Sequence, residues 1–225
     1  MSFVAVVPVK PFDAAKRRLQ TALDTAECAG LAEAMLRDVL DALAGSRACT
    51  SICLLGGADA RRLAQHGSLR WIDDAGHGGL NSALELAAAK LAAEQVDTLL
   101  VLPGDLPCIS AADLDALDAV HRGGLTVCPA RRDGGTNALM LSPPDAINFH
   151  FGPDSARRHL EAGIAAGLAS RLHDAEAFGL DVDTADDLLW LCQHAGDTHT
   201  GRFLQSTGIA DRLLRTAALA TGRKP

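Results

Sequence analysis

Short, wholly apolar runs alternate along this chain with segments of helical periodicity, and few architectures can accommodate that alternation. Residues 3–7 (FVAVV) and 98–102 (TLLVL) offer almost no polar face, and runs at 51–55, 69–72, 125–129 and 138–142 have similar character. A strand that is apolar on both sides must be covered on both sides, which parallel sheets achieve by returning the chain through helices. The intervening segments supply those helices. Residues 26–44 place Leu31, Met35, Val39, Leu40 and Leu43 on one face before Gly45 stops the pattern. Further helices are expected at 59–65, 81–94, 111–120, 155–166, 186–195 and 198–214. The expected fold class is α/β, three αβα layers around a mostly parallel sheet. At 225 residues the chain suits one such domain over residues 1–215, with 216–225 expected as a flexible tail.

Bulk properties narrow the partners. A net charge of −7 argues against nucleic acid, but a small anionic substrate needs only a local cluster of cations and amides. No apolar run approaches the ~20 residues of a membrane span, and no targeting pattern precedes the first strand, so a cytoplasmic protein without a membrane partner is expected. The six cysteines form no CxxC pair and read as reduced core thiols.

In open α/β sheets, ligands bind beyond the carboxyl ends of the strands, so the segments that follow the apolar runs matter most. Neither a GxxxxGK[ST] loop nor a GxGxxG turn is present; a nucleotide must be held another way. After the first run, VPVKPFDAAKRRL (7–19) carries Lys10, Lys16, Arg17 and Arg18, a concentration of cations on a turn and helix opening that suits a polyphosphate. HGGLNSAL (77–84) offers Gly78-Gly79 for close backbone approach, with Asn81 at a helix start. In VLPGDLP (101–107), Asp105 stands at a strand mouth between prolines. That placement suits a divalent cation such as magnesium, and Ser110 is free to cap the helix that follows.

Two further segments carry charge or anion-binding groups. In LDVDT (180–184), Asp181 and Asp183 lie two apart, on one side of an extended segment, and would repel unless a cation sat between them. Asp183 or Thr184 can also cap the next helix. DGGTNAL (133–139) and FGPDS (151–155) each set a hydroxyl, Thr136 or Ser155, near glycine, as an anion pocket for a carboxylate or phosphate requires. Asp154 puts an acid beside that pocket, with Arg157 and Arg158 available to offset it.

Taken in order, VPVKPFDAAKRRL, GGLNSAL, VLPGDLP, GGTNAL, FGPDSxxxH and DVDTADDL resemble the 2-phospho-L-lactate or phosphoenolpyruvate guanylyltransferases of coenzyme F-420 biosynthesis, from about residue 3 to about residue 192. The resemblance implies a GT-A-like nucleotidyltransferase fold. It implies transfer of GMP from GTP to the phosphate of a three-carbon phosphoacid (2-phospho-L-lactate, phosphoenolpyruvate or 3-phosphoglycerate) with release of pyrophosphate. By the same resemblance, Asp105, Asp181 and Asp183 would hold two magnesium ions, with Asp105 and Lys16 as the catalytic pair. Thr136, Gly152 and Ser155 would receive the phosphoacid, and Lys10, Lys16, Arg18, Gly79, Leu80 and Asn81 the GTP. The protein would be a monomer or homodimer. A molybdopterin-type or sugar-phosphate nucleotidyltransferase is a rival, against which the first loop reads PVKPFDAAK and not a glycine-rich LAGG type. A nucleotide-binding protein without turnover is another, but it leaves the three separated aspartates without a role.

Overall fold

The computed structural model describes residues 2–65, 68–74, 76 and 78–220, and the runs foreseen as strands join in one seven-stranded sheet. The strands are β1 (Phe3–Pro8), β2 (Cys49–Leu55), β3 (Arg70–Ile72), β4 (Leu99–Val101), β5 (Gly124–Pro129), β6 (Thr136–Ser142) and β7 (Ser170–Leu172), in the order β3-β2-β1-β4-β6-β5-β7. Only β6 runs against its neighbours β4 and β5; the other pairings are parallel. The reversal follows from the short link between β5 and β6, closed by the Ala130 N–H on the Gly135 carbonyl, because adjacent strands joined by a tight turn must be antiparallel. β7 was not legible in the sequence. Its three residues, Ser-Arg-Leu, carry no apolar run, and Leu172 is half exposed at the sheet edge.

The described residues form eight α-helices, of which the first five pack on the sheet: α1 (Thr25–Gly45), α2 (Ala58–Ala64), α3 (Leu80–Ala93), α4 (Ala111–Val120), α5 (Ser155–Ala165), α6 (Ala185–His194), α7 (His199–Ser206) and α8 (Ile209–Ala220). Successive β1 residues face opposite layers, as the pleat requires. Phe3, Ala5 and Val7 pack with Leu36, Val39 and Leu43 of α1 and with α2 and α4. Val4 and Val6 pack with Leu84, Ala87 and Leu91 of α3 and with Ala156 of α5.

The single helix expected over 198–214 is instead α7 and α8, broken at Gly208, whose φ of +71° interrupts the helix. α8 continues through Ala220, so it takes in the first five residues of the expected tail; residues 221–225 lie outside the described part. The expected single apolar face of α1 divides in two. Leu36, Val39 and Leu43 meet the sheet, while Cys28, Leu31 and Met35 join a third cluster with Leu188 and Leu191 of α6, Leu204 of α7, and Ile209. Asp38 of α1 holds the start of α7 by accepting the His199 and Thr200 N–H groups at 2.7 and 3.0 Å. The third cluster also takes in Leu19, from the loop after β1, and Val182, between the paired aspartates. Two distant functional segments are thus anchored to one helix.

Because β2 and β3 lie to one side of β1 while β4 lies on the other, the chain changes direction between β1 and β4. A crevice opens at such a switch point. The cationic loop leaves β1 there and VLPGDLP leaves β4.

Candidate active site

A cavity of about 680 Å³ occupies that crevice, and its walls include Lys10, Lys16, Arg17, Arg18, Asp105, Asp133, Asp181 and Asp183. Four cations and four carboxylates share one space although the chain as a whole is acidic.

Lys16 joins two of those carboxylates. The loop after β1 forms two short 3₁₀ turns, Phe12–Ala14 and Arg17–Thr21, and not the α-helical opening expected. Between them Lys16 adopts a left-handed backbone with φ +51° and ψ +37°. A non-glycine residue held there stores roughly 1–3 kcal/mol of strain and persists only where its surroundings impose it. The imposition is visible: its ammonium donates to Asp105 Oδ2 at 2.7 Å and to Asp183 Oδ1 at 2.9 Å. The Lys16 side chain is 9% exposed, against 30% for Asp105 and 36% for Asp183. Burial acts to lower the Lys16 pKa, but the two carboxylates outweigh it and hold the ammonium above its usual range.

The carboxylates are positioned by backbone. Gly104 packs on α1 so closely that a Cβ would come within 2.9 Å of Leu36 Cδ1, so the glycine lets the Asp105 loop lie against that helix. The Val182 N–H donates to the Asp105 carbonyl at 3.2 Å, which lays the 181–183 segment alongside the β4 loop. With Val182 turned into the third cluster, Asp181 and Asp183 on either side both line the cavity. Capping does not compete for Asp183. Thr184 is the N-cap of α6, in a capping box with Asp187, just as Ser110 caps α4 with Asp113. For Asp183, burial opposes the charge, but Lys16 and then Arg18 hold its carboxyl below the ordinary range. Asp181 behaves oppositely. Burial raises its pKa, the Asn137 amide at 3.1 Å offsets this only in part, and Asp105 and Asp183 raise it further.

Asp105, Asp181 and Asp183 bring only oxygen donors to the cavity, the donor type that magnesium takes. Among the described residues no three His, Cys, Asp or Glu side chains form a ready cage, and Lys16 already bridges two of the three. Magnesium is commonly held by one or two carboxylates with phosphate oxygens completing its sphere, and the donor set here is all oxygen.

Thr136 and Gly152 also line the cavity. Thr136 is nearly buried at the start of β6, and its partners fix its hydroxyl hydrogen. The His150 N–H donates to His159 Nε2 at 2.8 Å, so that nitrogen is an acceptor and the neutral ring carries its proton on Nδ1. Nδ1–H then faces Thr136 Oγ1 at 3.0 Å, and Ser155 Oγ donates to the same oxygen at 3.0 Å. With both acceptor positions filled, the Thr136 hydroxyl has a hydrogen left to donate. Ser155, expected as a pocket residue, is fully buried behind Thr136 and does not line the cavity. The acid at Asp154 is engaged by Arg157 at 2.6 Å.

The remaining expected positions divide. Lys10 and Leu80 line the cavity. Arg18 stands at the rim, 76% exposed and 3.7 Å from Asp183. Asn81 is not a cap, since α3 begins after Gly79. Its amide instead clamps Phe151, accepting that residue's N–H at 2.7 Å and donating to its carbonyl at 3.2 Å. This ties α3 to the segment bearing Gly152, and His77 lies outside the described residues. His159 and Asn137 stand in the quoted FGPDSxxxH and GGTNAL motifs, but sequence reasoning assigned neither of them a role. The i, i+4 spacing from Ser155 puts His159 on the same helix face, the one signal available, whereas Asn137 declares itself only through its contacts with Asp181 and the Phe178 carbonyl.

Two testable consequences arise here. Thr136→Val keeps shape but removes the donor, and a hydrogen bond to a charged group contributes about 1.5–3 kcal/mol. Binding of a small ligand bearing a carboxylate or phosphate should weaken roughly 10–100-fold, measured by calorimetry; unchanged affinity would contradict a donor role for this hydroxyl. The second concerns acid. Burial, followed by His150 and Arg158, lowers the pKa of His159 to about 3. Burial, with Arg171 next, lowers that of His121 to about 4, where it bonds Thr126 and Ser142 hydroxyls at 2.9 Å each. The unfolded chain takes up these protons below about pH 6.5 while the folded chain refuses them, so stability falls with pH through that window. At pH 5.5 each histidine should cost about 1.5 kcal/mol relative to pH 8, measurable by urea unfolding at the two pH values.

Comparison with known proteins first sets the class. A solved structure from Desulfovibrio desulfuricans G20, described as a nucleotide-diphospho-sugar transferase, matches with a TM-score of 0.75 at 20% identity, covering 96% of this chain and 98% of that one. The expected three-layer α/β nucleotidyltransferase fold is the fold observed. Sequence narrows the class: the chain belongs to the family described as guanylyl transferase CofC like, which matches residues 3–222. Relatives include a phosphoenolpyruvate guanylyltransferase from Roseiflexus sp. (strain RS-1), 38% identical over 91% of this chain and 93% of the relative. A 2-phospho-L-lactate guanylyltransferase from Methanothermobacter thermautotrophicus is 34% identical, covering 91% of each. The protein is a nucleotidyltransferase of the guanylyltransferase kind, and no helix among its described residues is long and apolar enough to cross a membrane.

Proposed function

We propose that the enzyme transfers GMP from GTP to the phosphate of a three-carbon phosphoacid (phosphoenolpyruvate, 2-phospho-L-lactate or 3-phosphoglycerate) and releases pyrophosphate, as a step in coenzyme F-420 biosynthesis in the cytoplasm. The observation that carries this reading is that one cavity is lined by two unlike sets of groups: Lys16 between Asp105 and Asp183, and the Thr136 hydroxyl with Gly152. A phosphoacid has two anionic ends and needs both.

An acceptor phosphate oxygen attacks the α-phosphorus of GTP, and the bond from that phosphorus to the β-phosphate oxygen breaks as pyrophosphate leaves. A phosphate monoester is largely ionised at neutral pH, so no general base is required and rate comes from alignment and charge neutralisation. Thr136 holds the acceptor carboxylate and so aims its phosphate. Lys16, with Lys10, Arg17 and Arg18 along the same loop, neutralises the β- and γ-phosphates. Asp105, Asp181 and Asp183 would hold two magnesium ions, which supply further neutralisation of phosphate oxygens when bound.

A pyrophosphate-release matrix tests the proposal: GTP, ATP, CTP and UTP against the three phosphoacids, 2-phosphoglycerate and the sugar phosphates glucose 1-phosphate and mannose 1-phosphate, with and without magnesium. Magnesium-dependent release confined to GTP and one or more of these acids is the expected result. Release with sugar phosphates alone would overturn it.

A further inference from the structure

A second cavity, about 350 Å³, opens beyond the ends of β2 and β3 and shares Pro8, Val9, Lys10 and Leu80 with the wall of the larger one. The two therefore meet along the loop after β1. Its chemistry differs from that of the charged crevice. Val9, Leu55 and Ala83 are buried apolar wall, and among the described residues Lys10 and Asp74 are the charged side chains that line it. Lys10 stands on the shared wall, so that among the described residues Asp74 gives this cavity its character. Its carboxylate accepts one long contact, the Gly76 N–H at 3.4 Å. Gly79 adds backbone without side-chain bulk, in a conformation (φ +115°) that excludes other residues.

A slot with apolar walls and one acceptor-only group suits a flat heterocycle that presents hydrogen-bond donors at its edge. Guanine presents two neighbouring donors, N1–H and the 2-amino group, which match the two oxygens of a carboxylate. Adenine presents a lone pair at N1, which a carboxylate repels, and cytosine likewise sets an acceptor beside its amino group. Uracil offers a single donor between two carbonyls. We infer that the second cavity receives the base and that Asp74 selects guanine by accepting hydrogen bonds from N1–H and the 2-amino group. The inference rests on the guanylyltransferase reading above and names the residue that enforces it.

The test compares wild type, Asp74→Ala and Asp74→Asn with GTP, ITP and ATP in pyrophosphate release with phosphoenolpyruvate. ITP keeps N1–H but lacks the 2-amino group. For wild type, kcat/KM should fall roughly 10–100-fold from GTP to ITP, the range for a hydrogen bond to a charged group, and further to ATP. In both variants the GTP-to-ITP ratio should shrink towards one through loss of GTP activity, with kcat/KM for ATP unchanged or raised. Thermal melting of Asp74→Asn distinguishes lost selectivity from lost folding. Retained GTP-to-ITP and GTP-to-ATP ratios in both folded variants would overturn the assignment. Calorimetric binding of GDP and ADP separates it from the reading beneath it. A wild type that transfers nothing to any phosphoacid but binds GDP over ADP through Asp74 would sink the transfer reaction and leave the guanine site standing. Equal affinity for GDP and ADP in wild type would sink the guanine site.

Discussion

Replacing Lys16 by methionine should lower kcat by about 10³-fold and destabilise the protein together, the joint loss being the signature of its position. Removing one preorganised charge partner of a transition-state oxyanion costs about 10²–10³ in kcat, and Lys16 also holds Asp105 and Asp183 in place. Its ammonium contacts both at under 3 Å. Without it, Asp105 and Asp183 lose the cation they share, and only the exposed Arg18, 3.7 Å from Asp183, stays beside them. Removing one partner from a fully buried pair costs about 3–5 kcal/mol. Both aspartates are about a third exposed, so solvent screening reduces this to about 1–2 kcal/mol. Relief of the left-handed backbone is no compensation, because methionine suffers there as lysine does. At about 2–4 °C per kcal/mol for a chain of this size, melting should fall several degrees. Pyrophosphate release and differential scanning fluorimetry on one preparation check both halves. A variant with normal melting and normal turnover would remove Lys16 from the site.

Asp105→Asn separates the two effects. Asparagine keeps the size, the strand-mouth loop and the backbone bond from Val182, and Lys16 retains Asp183 as its partner. Stability should therefore change by less than about 1 kcal/mol, as expected where no cavity or unpaired buried charge is created. Turnover should fall at least about 10²-fold, because a hard anionic ligand becomes a neutral amide that neutralises neither Lys16 nor a divalent ion. Raising magnesium should recover part of the lost rate if the carboxylate holds metal, and none if it serves only to orient Lys16. Near-normal release of pyrophosphate by a folded Asp105→Asn protein would discard both roles.

The legible and illegible parts of this site differ for definable reasons. Asp105 was legible because a carboxylate between prolines at the end of an apolar strand has few structural uses, and a sheet places its ligands at strand ends. Asp181 and Asp183 were legible as a pair through their period of two. The direction of Ser155 was not. A serine beside a glycine turn reads as an anion donor, but whether it meets the cavity or stands behind Thr136 depends on how α5 packs against β6. Asn81 failed in the same way. An asparagine near a helix start has capping as its local use, and only the approach of Phe151 from 70 residues away gave its amide two backbone partners.

Local pattern alone therefore determined the layers, six of the seven strands, the cationic first loop and the three aspartates, because apolar periodicity and strand-end placement act over a few residues. Tertiary structure decided what those residues face. It brought Lys16, from the loop after β1, between carboxylates 89 and 167 residues away, reversed β6 within the sheet, and set His159 behind Thr136 to aim its hydroxyl. These outcomes come from long-range burial: α1 must bury two faces at once, and the third apolar cluster draws Leu19 and Val182 to the same helix. No short stretch of sequence carries that information, since each segment's partner is chosen only when the core closes.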